Sequence, residues 1–130
     1  MTRKPKWFAI VCAALVLGQQ ATAHHGDNLF DRSRPMTLSG TVRLFRWSNP
    51  HTWLCVDVPN ASGRQDEWVL QAPSVAVLGR YGWNSHAIQP GDKVSVQYAP
   101  RWDGKPGGQV MTVTLTDSGR VLTSGVKGSG

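Results

Sequence analysis

Met36-Thr37-Leu38-Ser39-Gly40-Thr41-Val42-Arg43-Leu44-Phe45-Arg46-Trp47 is the stretch that decides the fold. Met36, Leu38, Val42 and Leu44 alternate with Thr37, Ser39, Thr41 and Arg43, the period of two that marks a strand with one buried face. The parity then reverses, and Phe45 and Trp47 take the apolar positions. A reversal with Gly40 nearby predicts a bulge or sharp coil in a long first strand. Such a strand suits a sheet that curls into a barrel and so removes its exposed edges.

Downstream of this strand, Ser48-Asn49-Pro50 is turn chemistry, with Asn49 driven to an extended conformation by the proline. A second strand is predicted from His51 to Val58, with apolar residues on both faces. Pro59 to Gly63 turns the chain into a third strand, Glu67 to Ala72. Ser74, after Pro73, is placed to cap a short helix whose apolar positions are Val75, Val77, Leu78 and Tyr81, with Gly82 to end it. Gln89-Pro90-Gly91-Asp92 is another turn. A fourth strand follows through Val94, Val96 and Tyr98, then a long mobile loop from Arg101 to Gly108. Val110 to Leu115 gives the fifth strand and Val121-Leu122 a short last one. The Gly- and Ser-rich tail, 123–130, is expected to be disordered. Three strands, a helix, then two or three strands is the order of an OB-like barrel. The expected fold is therefore all-β, a small five- to six-stranded OB-like barrel over 36–122 with one short helix between strands 3 and 4. An open sheet packed on one helix has the same element order.

Residues 1–23 read as a signal peptide. Arg3, Lys4 and Lys6 precede an apolar run from Trp7 to Gly18, and Ala21-Thr22-Ala23 supplies small residues before a cut. The run is about a dozen residues against the roughly 20 that span a bilayer, so no stable membrane span is expected once the leader is removed. The expected location is the periplasm. Residues 24–35 then form an irregular N-terminal arm pinned by Phe30. The chain has 14 basic and 8 acidic residues, and three of the basic ones leave with the leader, so the mature balance falls to +3. Its basic residues are dispersed, which argues against nucleic acid as a partner. Cys12 leaves with the leader too, and Cys55, between Leu54 and Val56, reads as a lone, inert, small buried hydrophobe.

Several of these pieces recur together in a known family. His24-His25, Phe30-Asp31, Gly40-Thr41-Val42, Trp47-Ser48-Asn49-Pro50-His51, Trp68, Pro73, Gly82-Trp83, Pro90-Gly91-Asp92, and Pro100 with Asp103-Gly104 carry the likeness. In their order and spacing the chain resembles the bacterial exported family DUF6152 over nearly all of 24–122. Two positions depart from the family pattern: Gln71 stands where an acid is expected, and Gly26 where a serine is usual. The resemblance implies export and a shared small domain, and it brings no activity with it.

The chemistry on offer begins at the cleavage site. A cut after Ala23 gives His24 a free α-amino group beside its imidazole, two nitrogens that chelate one metal. A second imidazole completes a nitrogen-rich site suited to Cu(II). His24, His25 and His51 are the candidate ligands and copper the candidate cofactor. Affinity would fall below about pH 6 to 7 as the donors take up protons. The plainer reading is a polar terminus whose histidines merely follow a cleavage site.

In an OB-type barrel the loops between strands 1 and 2 and between strands 4 and 5 flank the ligand-binding face. Here they carry Trp47, Asn49 and His51, and Arg101, Trp102 and Asp103, a candidate binding mouth. Against this, Asn49 and His51 can serve the turn and Trp47 can seal the barrel. Enzymatic readings fare worse. His51 and Cys55 lie about 13 Å apart along one strand face, too far for a base and its nucleophile. No carboxylate pair, phosphate loop or nucleophile elbow is apparent.

The expected function is an exported, non-enzymatic binding module for a small ligand, with copper the sharpest candidate. An envelope interaction domain, docking on a protein or glycan through Trp47 and Trp102, is the alternative. An uncharacterised enzyme ranks third. Protein recovered from the periplasm should have the mass of residues 24–130 with a free amine on His24. Intact-mass spectrometry checks this, and a terminus elsewhere removes the amine–imidazole chelate.

Overall fold

One strand serves two neighbours, and that organises the sheet. β1 (Met36–Arg46) pairs antiparallel with β4 (Lys93–Pro100) along 36–41 and with β2 (Thr52–Pro59) along 41–46. The register shifts between Val42 and Leu44, where the apolar parity reverses. Gly40 sits where β1 coils closely past β2. A Cβ there would run into the Asp57 carbonyl oxygen and Val56 Cγ1, so the glycine is needed for close backbone approach. These features are taken from a computed structural model, which describes residues 29–130.

The other elements are β3 (Gln65–Ala72), α1 (Val75–Arg80), β5 (Gly108–Leu115) and β6 (Arg120–Thr123). The sheet order is β3-β2-β1-β4-β5-β6, and a parallel pairing of β3 with β5 closes the first five strands into a barrel. This is the expected OB-like architecture, with β6 added as an extra strand on β5. Ser74 caps α1 as anticipated, its hydroxyl accepting from the Val77 N–H at 3.3 Å. The chain leaves the helix through Gly82 at φ +83.

The barrel interior is aliphatic. Leu54, Leu70, Val56, Val94, Val96, Val110 and Val113 are at most 1 % exposed, and each contributes on the order of 1.5–3 kcal/mol on burial. Trp68 lies edge-on to Tyr98, with ring centroids 5.4 Å apart. Leu78 brings α1 into the same core. A second, outer cluster joins Trp53 and Cys55 to Leu44 and Val69, which accounts for the apolar residues on both faces of β2.

One expectation is corrected. The tail is packed rather than disordered. The Ser124 side chain is fully buried, its hydroxyl donating to the Val110 carbonyl at 2.6 Å, and Val126 packs against Phe30, Ala99 and Met111. The Ser129 N–H also donates to the Arg32 carbonyl at 3.1 Å, so tail and arm hold each other. Gly and Ser content signalled disorder, but the few non-glycine side chains supply specific anchors. Cys55 is fully buried, as its apolar neighbours predict; it is disulfide-bonded in the full-length chain, and the lone-thiol expectation is one for the chain after cleavage.

Gly40→Ala is expected to cost about 1–3 kcal/mol, because the added methyl forces β1 away from β2. Urea unfolding of the two proteins measures this, and an unchanged midpoint would show that the coil has room to spare.

Candidate functional site

The outer face of β2 and β3 carries the residues that alternate with the core set. On β3, Trp68, Leu70 and Ala72 belong to the interior, which turns Glu67, Val69 and Gln71 outward. Across the seam, β3 meets β5 only at Leu70↔Gly108 and Gln71↔Gln109. A cavity of about 140 Å³ lies against this face. Trp53, Val69, Gln71 and Glu67 form its floor, and Leu29 and Phe30 of the arm and Arg101 and Pro106 of the β4–β5 loop form its rim. The arm is fixed there by a bridge between Phe30 and Arg101, by the Asp31 N–H donating to Pro100 O at 2.7 Å, and by the Trp102 N–H donating to Leu29 O at 3.2 Å.

The candidate residues named from the sequence separate into three groups. Arg101 lines the cavity. Its Nε and one terminal nitrogen donate to Asp103 at 2.9 and 2.6 Å, a bidentate pair that stiffens the loop. That bond, helped by the Lys105 backbone N–H, holds the Asp103 carboxyl well below the usual carboxylate range. His51 stands at the edge of the same face. Its ring nitrogens lie 3.1 and 3.2 Å from Gln71 Nε2, and its ring meets Trp53 edge-on at 6.2 Å.

The others are used elsewhere. Trp47 packs on the interior core beside Phe45, ring centroids 6.1 Å apart. Asn49 accepts from the Val75 N–H at 3.2 Å and ties the β1–β2 loop to the start of α1. Trp102 is 65 % exposed. His24 and His25 lie outside the described residues. Among the described residues no group of three or more His, Cys, Asp or Glu could hold a metal.

Glu67 and Trp53 were missed by sequence reasoning. Both fall within predicted strands and were assigned to no site. Asp57 and Glu67 are register partners across β2 and β3, a carboxylate pair hidden by nine residues of intervening chain. Arg43 donates to both Asp57 oxygens at 2.8 Å, and its Nε lies 4.0 Å from Glu67 Oε2. Glu67 Oε1 is buried without a hydrogen-bond partner. Desolvation pushes the Glu67 carboxyl up; Arg43 opposes the shift and Asp57 adds to it. Outward parity in a strand was the one available signal for Glu67, and it does not distinguish a solvated acid from one covered by an arm.

A sequence profile described as a family of unknown function, DUF6152, matches residues 11–110. The chain belongs to the DUF6152 family. The matched region runs through β1 to the start of β5 and so includes the seam that closes the barrel in this DUF6152 domain. Comparison with curated proteins finds no match.

An acid whose folded pKa is raised binds its proton more tightly folded than unfolded. The stability Glu67 contributes is therefore present in acid and is lost as pH rises from the glutamate range through its folded pKa. Glu67→Gln should remove that loss. Its melting temperature is expected to exceed that of the unaltered protein at neutral pH, with the gap closing below about pH 4. A variant less stable at neutral pH would show that the Arg43 contact outweighs desolvation.

Proposed function

We propose that this protein is an exported, non-enzymatic binding module of the periplasm. It takes a transition metal, copper before others, where the mature N-terminus meets the β1–β2 corner. The path of the arm carries the reading. Leu29 and Phe30 wall the same cavity as Gln71 and Trp53, and these last two flank His51. His24 is five residues ahead of Leu29, a reach of at most about 18 Å of extended chain. Its α-amino and imidazole nitrogens, with His25 as a further donor, supply the ligands that His51 completes. A metal on His51 would take the place of the Gln71 amide contact.

A second reading keeps an envelope protein or glycan as the partner. It is favoured by the exposure of Trp102 at 65 % beside Leu29 at 44 %. Trp47 no longer supports it, because that ring packs on the core.

Cu(II) titration of metal-free mature protein tests the first reading. Protein beginning at His24 should bind at least about tenfold more tightly than protein carrying one extra N-terminal residue, since the added residue replaces the free amine with an amide nitrogen. His51→Ala should weaken binding as well. Equal affinity for both termini removes the chelate and leaves docking through Trp102 ahead.

A further inference from the structure

We propose that the cavity on the outer β2–β3 face is a seat for a small organic cation, an amine or guanidine on an apolar or aromatic body, with Glu67 as its counter-ion. The charges around the cavity support this. Arg101 is matched one to one by Asp103. Arg43 is shared between Asp57 and Glu67, so those three groups sum to one negative charge. The geometry singles out Glu67 as the carboxylate in excess. Asp57 receives both short Arg43 bonds, whereas Glu67 has only the 4.0 Å approach and an oxygen, Oε1, buried with no partner.

An unsatisfied buried carboxylate oxygen costs free energy that a cationic donor can recover. The rest of the wall favours an apolar body: Trp53 is 6 % and Phe30 7 % exposed, and Val69 of β3 lines the cavity with them. At about 140 Å³ the space is close to that of a cavity that takes benzene. An anion is disfavoured, because Arg101 is already engaged and Glu67 would repel it.

The seat does not depend on the copper reading, and the test keeps the two apart. Mature protein is held metal-free with EDTA at neutral pH and titrated with benzylammonium chloride, benzyl alcohol and benzoate. Amide and indole NMR shifts are followed. Benzylammonium should give saturable shifts at the Trp53 indole N–H, the Val69 amide and the Gln71 side chain, with millimolar affinity for so small a ligand. Glu67→Gln should weaken that affinity about tenfold or more. Asp117→Asn, in the β5–β6 turn, should leave it unchanged.

Equal binding of benzyl alcohol, or by Glu67→Gln, would reduce the site to an apolar hole and overturn the proposal. So would preferred binding of benzoate, or no saturable shift at all. If Glu67→Gln does not fold, acidification of the unaltered protein serves instead. Glu67 is faced by Arg43 from β1 and Asp57 from β2, with Arg101 of the β4–β5 loop on the same cavity wall. Benzylammonium affinity should fall as Glu67 takes up its proton. Affinity that holds from neutral pH to about pH 4 would overturn the assignment.

Discussion

The barrel is held shut by two residue pairs. Leu70↔Gly108 and Gln71↔Gln109 are the only register pairs between β3 and β5 among the described residues, and without them β3 would be an open edge. Gly108 also lets β5 run close against β4 at this point: a Cβ there would press on the Ala99 carbonyl and the Tyr98 ring. Antiparallel pairings elsewhere are longer, and β2 with β3 runs through eight pairs. The site is a consequence of this brevity. Away from the seam β3 parts from β5, and the arm and the β4–β5 loop cover the outer face that is left. Gln71 stays at the seam and Glu67 lies four residues before it, so one strand carries both the amide beside His51 and the covered acid.

Much of this was legible because local chemistry and long-range packing agree. The parity reversal after Gly40 appears as the register shift between Val42 and Leu44, and Ser74 caps α1 through its hydroxyl. What was not legible is what depends on contacts distant in sequence. No residue pattern near Leu70 announces a parallel partner at Gly108. Trp47 was placed in the binding mouth because of its loop, yet the same parity reversal that bends β1 turns it onto the core beside Phe45. Asn49 behaves likewise, fixed to the first turn of α1 by one hydrogen bond. The tail shows the opposite failure. Its composition favours disorder, and Ser124 and Val126 override it through one buried hydroxyl and one apolar contact.

Arm, tail and β4–β5 loop form one cover. Phe30 bridges Arg101 and packs with Ala99, Met111 and Val126, so the arm is held from the loop side and the tail side together. The glycine at 107, with φ +143, leaves room for the Arg101 stem, whose Cδ lies 3.2 Å from where a Cβ would stand. The Arg101–Asp103 fork then keeps the guanidinium in the loop. Being at the surface, such a pair contributes little to stability, and its effect is positional: it fixes the cavity rim against which Leu29 and Phe30 rest.

Glu67 is the case in which the same chemistry acts against the fold. Asp103 is exposed and doubly bonded to its arginine, and its carboxyl is held low. Glu67 shares its arginine with Asp57, has one buried oxygen without a partner, and is pushed up mainly by desolvation. A glutamine would fill the same space without the charge, and a valine or threonine would suit an outer strand position beside Val69. A local choice that opposes stability, located at a cavity wall beside Trp53, is the pattern expected where a fold accommodates a ligand at its own expense. The two arginine–carboxylate groups therefore divide the work of the outer face. The pair at Arg101 sets the shape of the cavity, and the excess acid at Glu67 sets its charge.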